Sequence, residues 1–505
     1  MLASGDWGHT TLNGADRFDK PILVYWLQAA SLAVFGATEF AARLPSALCA
    51  WAWTLAVAQF AAARWGGRVG VLAAIVLATS AGPLAIGRAA TADGLLNLLL
   101  TLAGFDLWRA LEHARGQGSR SAARVALRRV ALWVGLGLLA KGPIALVVPG
   151  GAFAVWLVTR RVLAGEPIGP SLRWVSGDAV SWAIVGLVAG PWYLYALLRH
   201  GEAFVSGFLV RHNLERFSAP LHGHDGSVVY YLLIVPALML PWTPLLVPIG
   251  RRLRETVASP DGSFLVAWAA FVVAFFSLSG TKLPHYALYG FTPLALLAAR
   301  ELGRQQGCAV ALAVCAACAA LVTFGAMSPW IAEMVADRRG DPHWRALIDA
   351  AALPPGPAAW AAAAIAAIVI GAAGIAWRRP QRAAAAAATA AVAAGLWTIS
   401  ATVPWWGRAL QGPIQELAFE ARSRGLAVTQ WGLHQPSVGF YRGEPAPRRP
   451  PAPAESALVR LSRLPALEHG TGIATEPIAA VRGFALVRSR VAAPQDPLGG
   501  PGAAR

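Results

Sequence analysis

Ala126-Leu127-Arg128-Arg129-Val130-Ala131-Leu132-Trp133-Val134-Gly135-Leu136-Gly137-Leu138-Leu139-Ala140-Lys141-Gly142-Pro143 is the stretch whose reading decides the fold. Arginines open it, an uncharged apolar run follows, and a Lys-Gly-Pro turn sends the chain into a second apolar run, 143–159, that ends at Arg160-Arg161. Residues 127–140 rise only about 21 Å as a helix, short of the ~30 Å hydrocarbon thickness of a bilayer. Lys141 is therefore expected at or slightly below one membrane interface. The alternation of apolar run and charged turn continues in both directions, with helices expected at 43–63, 69–87, 91–111, 126–140, 143–159, 178–198, 227–249, 262–280, 284–299, 307–328, 358–377 and 383–403.

Composition agrees with this reading. Of the 505 residues 56% are hydrophobic and 14% charged, so the chain is expected to be an all-α polytopic membrane protein of about twelve spans. The formal charge of +17 does not point to nucleic acid, because the arginines cluster between apolar runs as cytoplasmic loops require. Those clusters are Arg64/Arg68, Arg115/Arg120/Arg124/Arg128/Arg129, Arg160/Arg161/Arg173, Arg251/Arg252/Arg254, Arg300/Arg304 and Arg378/Arg379/Arg382, all in one register. The intervening loops then face outward, and so do both chain ends. Met1 to Lys20 has no apolar core of a signal peptide, and about forty residues would stand outside with no preceding helix. The span parity asks for one more helix upstream of Met1.

Collected on the outer face are Lys20, Arg88, Asp93, Lys141, Arg211, His212, Arg216, His222, His224 and Lys282. Cations with a few acids at an interface suit a phosphate or diphosphate headgroup whose lipid tail stays in the bilayer, Arg binding it bidentately and Lys as a point charge. The same cations would stabilise charge growing on a departing phosphate while a carboxylate deprotonates an attacking hydroxyl. Plainer readings stand beside these. Lys141 and Lys282 are also placed as snorkelling lysines, Asp93 as a helix cap, His222 and His224 as solvated loop residues, and Tyr230, Tyr231 and Trp242 as interfacial aromatics. Cys315 and Cys318 form a CxxC spacing within an Ala/Val-rich span, without a second pair or a nearby His, and are read as packing residues. No nucleotide-binding glycine loop is visible.

From about residue 404 the pattern changes to a helix at 413–421 and strand-like runs at 426–430, 457–461 and 484–488, with 445–453 as a Pro-rich loop and a disordered final dozen residues. The expected organisation is a periplasmic loop with interfacial helices at 1–42, a transmembrane domain at 43–403, and a small periplasmic α/β domain at 404–505.

At these residues the chain resembles the GT-C class of lipid-linked-sugar glycosyltransferases, in the branch of the aminoarabinose lipid A transferases and protein O-mannosyltransferases. The matching pieces run in family order: residues 1–7, Phe18-Asp19-Lys20-Pro21 with Tyr25-Trp26, residues 39–46, Asp93, Lys141-Gly142-Pro143, His212 to Phe217 with His222, Pro241-Trp242, Lys282-Leu283-Pro284-His285-Tyr286, and residues 436–441. Singly they are weak; together they are specific. The resemblance implies inverting transfer of a sugar from a polyprenyl-phosphate carrier to a lipid, glycan or protein acceptor at the periplasmic face of a bacterial inner membrane. It places the carrier phosphate on Lys20, Lys141 and Arg216, and makes Asp93 an acidic residue of the active site. His212, His222 and Lys282 join the binding set. Asp19 stands where relatives commonly have Glu, a position linked to a divalent metal, but Gly8-His9-Thr10-Thr11 supplies no matching histidine ligand. In relatives a first helix and an Asp-Glu motif with the usual general base precede the segment resembling Met1 to Trp7; either the start lies upstream of Met1, which agrees with the missing span, or the chain has lost that acid and with it activity. Two other classes fit the cations: a transporter or flippase of a lipid-linked anion, and a polysaccharide ligase. A transporter would carry ionisable groups near the midplane with access from both sides, whereas here they gather on one face.

Overall fold

The computed structural model describes residues 1–2, 4–113, 119–215, 226–304, 307–339, 347 and 355–490. The chain divides into two compact units, one of residues 1–10, 17–321 and 365–395, the other of 11–16, 322–364 and 396–505.

The larger unit is helical. It opens with α1 (Leu23–Phe35) and α2 (Glu39–Trp65), the latter starting four residues before its expected boundary because Thr38 caps it, accepting from the Ala41 amide at 3.2 Å. Then follow α3 (Gly67–Thr79), α4 (Ala81–Arg88), α5 (Asp93–Glu112), α6 (Arg120–Lys141), α7 (Ile144–Ala164), α8 (Ile168–Ser176) and α9 (Ala179–Phe204), which continues as a π-helix over Val205–Glu215. Next come α10 (Tyr230–Met239), α11 (Thr243–Arg251), α12 (Pro260–Leu278) and, after a 3₁₀ turn at Pro284–Gly290, α13 (Phe291–Arg304). Sixteen of the twenty residues of α5 are buried, so this helix forms the axis of the unit. Close approach to it requires Gly104, where a Cβ would lie 2.5 Å from the Trp268 ring of α12.

Each of the twelve expected segments is helical. Among the described residues eight helices are long and apolar enough to cross a bilayer, or ten if each of two bent pairs is one span. The segments at 126–140 and 284–299 fall outside that set, because α6 carries four arginines in its first ten residues and α13 is preceded by the 3₁₀ turn. The two bent pairs are α3 with α4, at 63°, and α10 with α11, at 119°. Neither bend was expected, and each supports the other: the Ala81 amide donates to the Leu240 carbonyl at 2.9 Å and the Trp242 indole to Thr79 Oγ1 at 2.9 Å. Backbone groups freed by one break are thus satisfied at the other, as a low-dielectric environment demands.

The arginine loops meet at one end of this unit. Arg64 reaches Glu112 and Asp261, each at 2.6 Å, and Arg252 reaches Glu301 at 3.3 Å. Just inside that end Asp106, almost fully buried, accepts from Arg109 at 2.9 Å and Trp133 at 2.8 Å and pairs with Arg129 at 3.0 Å, locking α5 to α6.

The smaller unit holds a two-stranded hairpin, β1 (Thr11–Leu12) with β2 (Ala15–Asp16), turning through Asn13 and Gly14, both at positive φ. It also holds a four-stranded sheet in the order β3 (Val428–Gln430), β4 (Ser456–Arg460), β6 (Phe484–Ser489), β5 (Thr475–Val481). The β3–β4 pair is parallel and the others antiparallel. The helix Val403–Ser423 lays Ile414, Leu417, Ala418 and Ala421 on one face of the sheet, against Val428, Leu458 and Leu486, the i, i+3, i+4, i+7 stripe of a half-buried helix. Leu467 covers Ala457, Val459, Ala485 and Val487 on the other. The hairpin belongs here and not with the N-terminal segment as expected, since the Ala446 amide donates to Asn13 Oδ1 at 3.3 Å. The tail read as disordered, 491–505, lies outside the described residues.

Candidate active site

At the end of the larger unit opposite the arginine loops, three helix termini bring charge together. Asp93 is the first residue of α5 and Lys141 the last of α6; these helices run antiparallel, so residues 48 apart in sequence become neighbours. The Lys141 ammonium bonds the Asp93 carboxylate and also donates to the Tyr289 hydroxyl at 2.6 Å; that hydroxyl in turn donates to Asp93 Oδ1 at 2.9 Å. Tyr289 comes from the 3₁₀ turn, which also sets the Tyr286 ring 5.7 Å and the Tyr289 ring 5.3 Å from the ammonium and His285 Nε2 3.9 Å from Asp93 Oδ1. Asp93 makes no side-chain cap to α5. Its side chain, 5% exposed, belongs to this cluster instead, which sets aside the reading of Asp93 as a helix cap.

Lys20 lies close enough to act on the Asp93 charge. Beside it Asp19 is gripped by Arg17 through both oxygens, at 2.5 and 2.9 Å. Burial raises the Asp19 pKa, but the Arg17 pair, with Lys20 and His212, outweighs it and holds the carboxyl below its ordinary value. This places His212, on the π-helix, in the same neighbourhood. Three permanent cations (Arg17, Lys20, Lys141) thus face two carboxylates (Asp19, Asp93) before any imidazole is counted, and the excess favours an anion. Arg216 and His222 lie outside the described residues.

Both oxygens of Asp19 are engaged by Arg17, an ion pair that a metal at this carboxylate would have to displace. The nearby rings of His9 and His200 lie 4.5 Å apart, tilted by 32°, and among the described residues no group of three His, Cys, Asp or Glu side chains could share a metal.

Lys282, the other candidate cation, is engaged locally. Its buried ammonium bonds the carbonyls of Ser277, at 2.9 Å, and Ser279, at the C-terminal end of α12, where exposed carbonyls and the helix dipole favour a cation. Replacing Lys282 with methionine is expected to cost about 2 kcal/mol by leaving buried carbonyls without a donor, lowering the unfolding temperature in detergent while carrier affinity changes less than twofold. A large loss of affinity at unchanged stability would return Lys282 to the binding set. Sequence reasoning missed Tyr289 and Arg17. The signal for Tyr289 was its spacing of three from Tyr286, which places both on one side of a 3₁₀ turn.

The fold that carries these groups is shared with a solved membrane protein of similar length. It matches the crystal structure of ArnT from Cupriavidus metallidurans bound to undecaprenyl phosphate, with a TM-score of 0.78 at 19% identity over 97% of this chain and 92% of that one; the apo structure matches equally. In sequence, a family model described as dolichyl-phosphate-mannose-protein mannosyltransferase matches residues 19–175. The chain is 33% identical over 308 residues to undecaprenyl phosphate-alpha-4-amino-4-deoxy-L-arabinose arabinosyl transferase 2 of Sodalis glossinidius, covering 59% of this chain and 52% of that protein. It is 32% identical over 302 residues to the corresponding transferase of Aeromonas hydrophila, covering 59% and 53%. The chain thus spans about half the length of the curated relatives it matches, and the resemblance read from its motifs is to the lipid-linked-sugar, aminoarabinose-transferase branch of the GT-C class.

Proposed function

We propose that the chain is a glycosyltransferase of the bacterial inner membrane that moves a sugar from a polyprenyl phosphate to an acceptor at the periplasmic face. The observation that carries this reading is the Asp93–Lys141–Tyr289 cluster with Lys20 beside it, at the end of the helical unit opposite the arginine loops. If those loops are cytoplasmic, the cluster faces the periplasm, and the twelve helical segments cross the membrane in alternation. The 404–505 region then lies on the periplasmic side as well.

Lys20, Lys141 and Arg216 hold the carrier phosphate. An acceptor hydroxyl attacks the anomeric carbon, the bond from that carbon to the phosphate oxygen breaks, and the polyprenyl phosphate departs with the electron pair and takes up the proton the hydroxyl gives up. The cations stabilise that negative charge as it grows. Asp93 fixes the Lys141 ammonium in place with the Tyr289 hydroxyl, which makes its role positioning. The relatives' names point to the donor class, an undecaprenyl-phosphate-linked aminoarabinose, and lipid A is the first acceptor to test.

The reading is tested by incubating the purified full chain in lipid nanodiscs with undecaprenyl-phosphate-linked aminoarabinose and lipid A, and following the glycosylated product by mass spectrometry. Lys20→Ala should weaken undecaprenyl phosphate binding about 10- to 100-fold, the worth of one charge-assisted contact, while the protein still inserts and unfolds at its usual temperature. Wild-type binding by Lys20→Ala would remove Lys20 from the phosphate site. A wild-type chain that neither binds the carrier nor yields product would end the proposal.

A further inference from the structure

One stripe of α6 reads Arg120, Arg124, Leu127, Ala131, Val134, positions i, i+4, i+7, i+11 and i+14 of a helix face. Its three apolar members line a groove closed by Phe153 of α7, Val175 of α8 and Trp182 of α9, with a cavity of about 100 Å³ that opens along one side. The lining is almost wholly carbon.

The polar end of the stripe is the opposite. Arg120 and Arg124 are exposed, and among the described residues neither has an acidic partner. Arg128, at the lip, stands 3.7 Å from Asp178 Oδ2, an oxygen that already accepts from the Ser181 amide at 3.2 Å and hydroxyl at 2.6 Å. Ser181 itself lines the groove. The Nε of Arg128 is buried without a hydrogen-bond partner, and a buried donor left unmet calls for an acceptor. Half-exposed Trp182, its indole bonded to the Ser176 carbonyl at 2.8 Å, is an aromatic suited to the headgroup level.

We propose that this groove is a binding site for an anionic phospholipid of the cytoplasmic leaflet, one acyl chain lying along Leu127, Ala131 and Val134 and the phosphodiester resting on Arg120, Arg124 and Arg128. Three arginines against one carboxylate select an anionic lipid over a zwitterionic one. The site is separate from the proposed carrier site: Lys141 lies seventeen residues beyond Arg124 along α6, about 25 Å at 1.5 Å per residue. A carrier whose phosphate is held at Lys141 leaves the cations at this end without an anion.

The test uses the full chain, purified and delipidated, with phosphatidylglycerol and phosphatidylethanolamine of identical acyl chains, read by native mass spectrometry and thermal unfolding. Phosphatidylglycerol should be retained at least tenfold over phosphatidylethanolamine and should raise the unfolding temperature. The double variant Arg120→Gln, Arg124→Gln should lose the preference, and Ala131→Trp, which fills the groove, should lose the bound lipid. Should Ala131→Trp not fold, the double variant at two exposed positions still decides. Lys20→Ala should keep the preference, so a failed carrier site and a failed lipid site give different results. Equal retention of both lipids, a preference that survives the double variant, or displacement of phosphatidylglycerol by undecaprenyl phosphate would each overturn the proposal.

Discussion

Lys141→Ala is expected to stop sugar transfer and also to unfold the protein at a lower temperature, two effects with separate causes. The Asp93 side chain is 5% exposed, and without the ammonium its partners among the described residues are the Tyr289 hydroxyl and the more distant His285, with Lys20 acting at longer range. Stripping one member from a buried ion pair costs about 3–5 kcal/mol, because the remaining charge is left uncompensated. Loss of activity in this variant alone would therefore be ambiguous. The double variant Asp93→Asn, Lys141→Met removes both charges together and should recover most of the stability, since a neutral pair of similar volume has little desolvation to offset. It should not recover transfer. Without the cation the departing phosphate loses a preorganised partner, a deficit on the order of 100-fold or more. Unfolding temperatures in detergent and product formation, measured on both variants, separate the two contributions. A double variant that transfers sugar at the wild-type rate would show that Lys141 serves the fold alone.

The parts of this arrangement that could be read from sequence are those the bilayer or the turn chemistry imposes. Apolar runs with arginines in alternate loops left little freedom for the helices, and Lys141-Gly142-Pro143 announced a reversal at the interface. Tyr289 was hidden because it lies 196 residues from its partner Asp93, and only tertiary packing brings them together. Lys282 shows what a motif position conceals: its ammonium bonds carbonyls at the local helix end, a contact that charge and spacing alone do not announce. The bends at Ser80 and Leu240 left no periodic signature, since each depends on hydrogen bonds from the other segment. In the smaller unit β5 escaped notice because Pro477 and a register shift between Pro477 and Ala479 interrupt it, a pattern tolerated only at a sheet edge, where the strand order places it.

Gly142→Ala should impair transfer as severely as losing a charged residue, although it changes no charge. Gly142 ends α6 at φ 82° and ψ −152°, a region essentially restricted to glycine, where any other residue is strained by about 1–3 kcal/mol. Space is lacking too. A Cβ there would lie 2.7 Å from Cζ of Phe208, whose ring is 1% exposed and stacked on Phe204 at 5.4 Å, so it has little room to yield and overpacking adds about 1–3 kcal/mol more. Relief requires the last turn of α6 to shift, carrying Lys141 away from Asp93 and Tyr289, or Phe208 to move, disturbing the π-helix that carries His212. A displacement of about 1 Å at a reacting site can cost on the order of 100-fold. The discriminating variant is Gly142→Ala combined with Phe208→Ala, which removes the clash but not the backbone strain. Transfer should recover in part, and stability should stay low because of the cavity left by the missing ring. If Gly142→Ala alone transfers sugar as the wild type does, then neither the φ requirement nor the contact with Phe208 governs the position of Lys141.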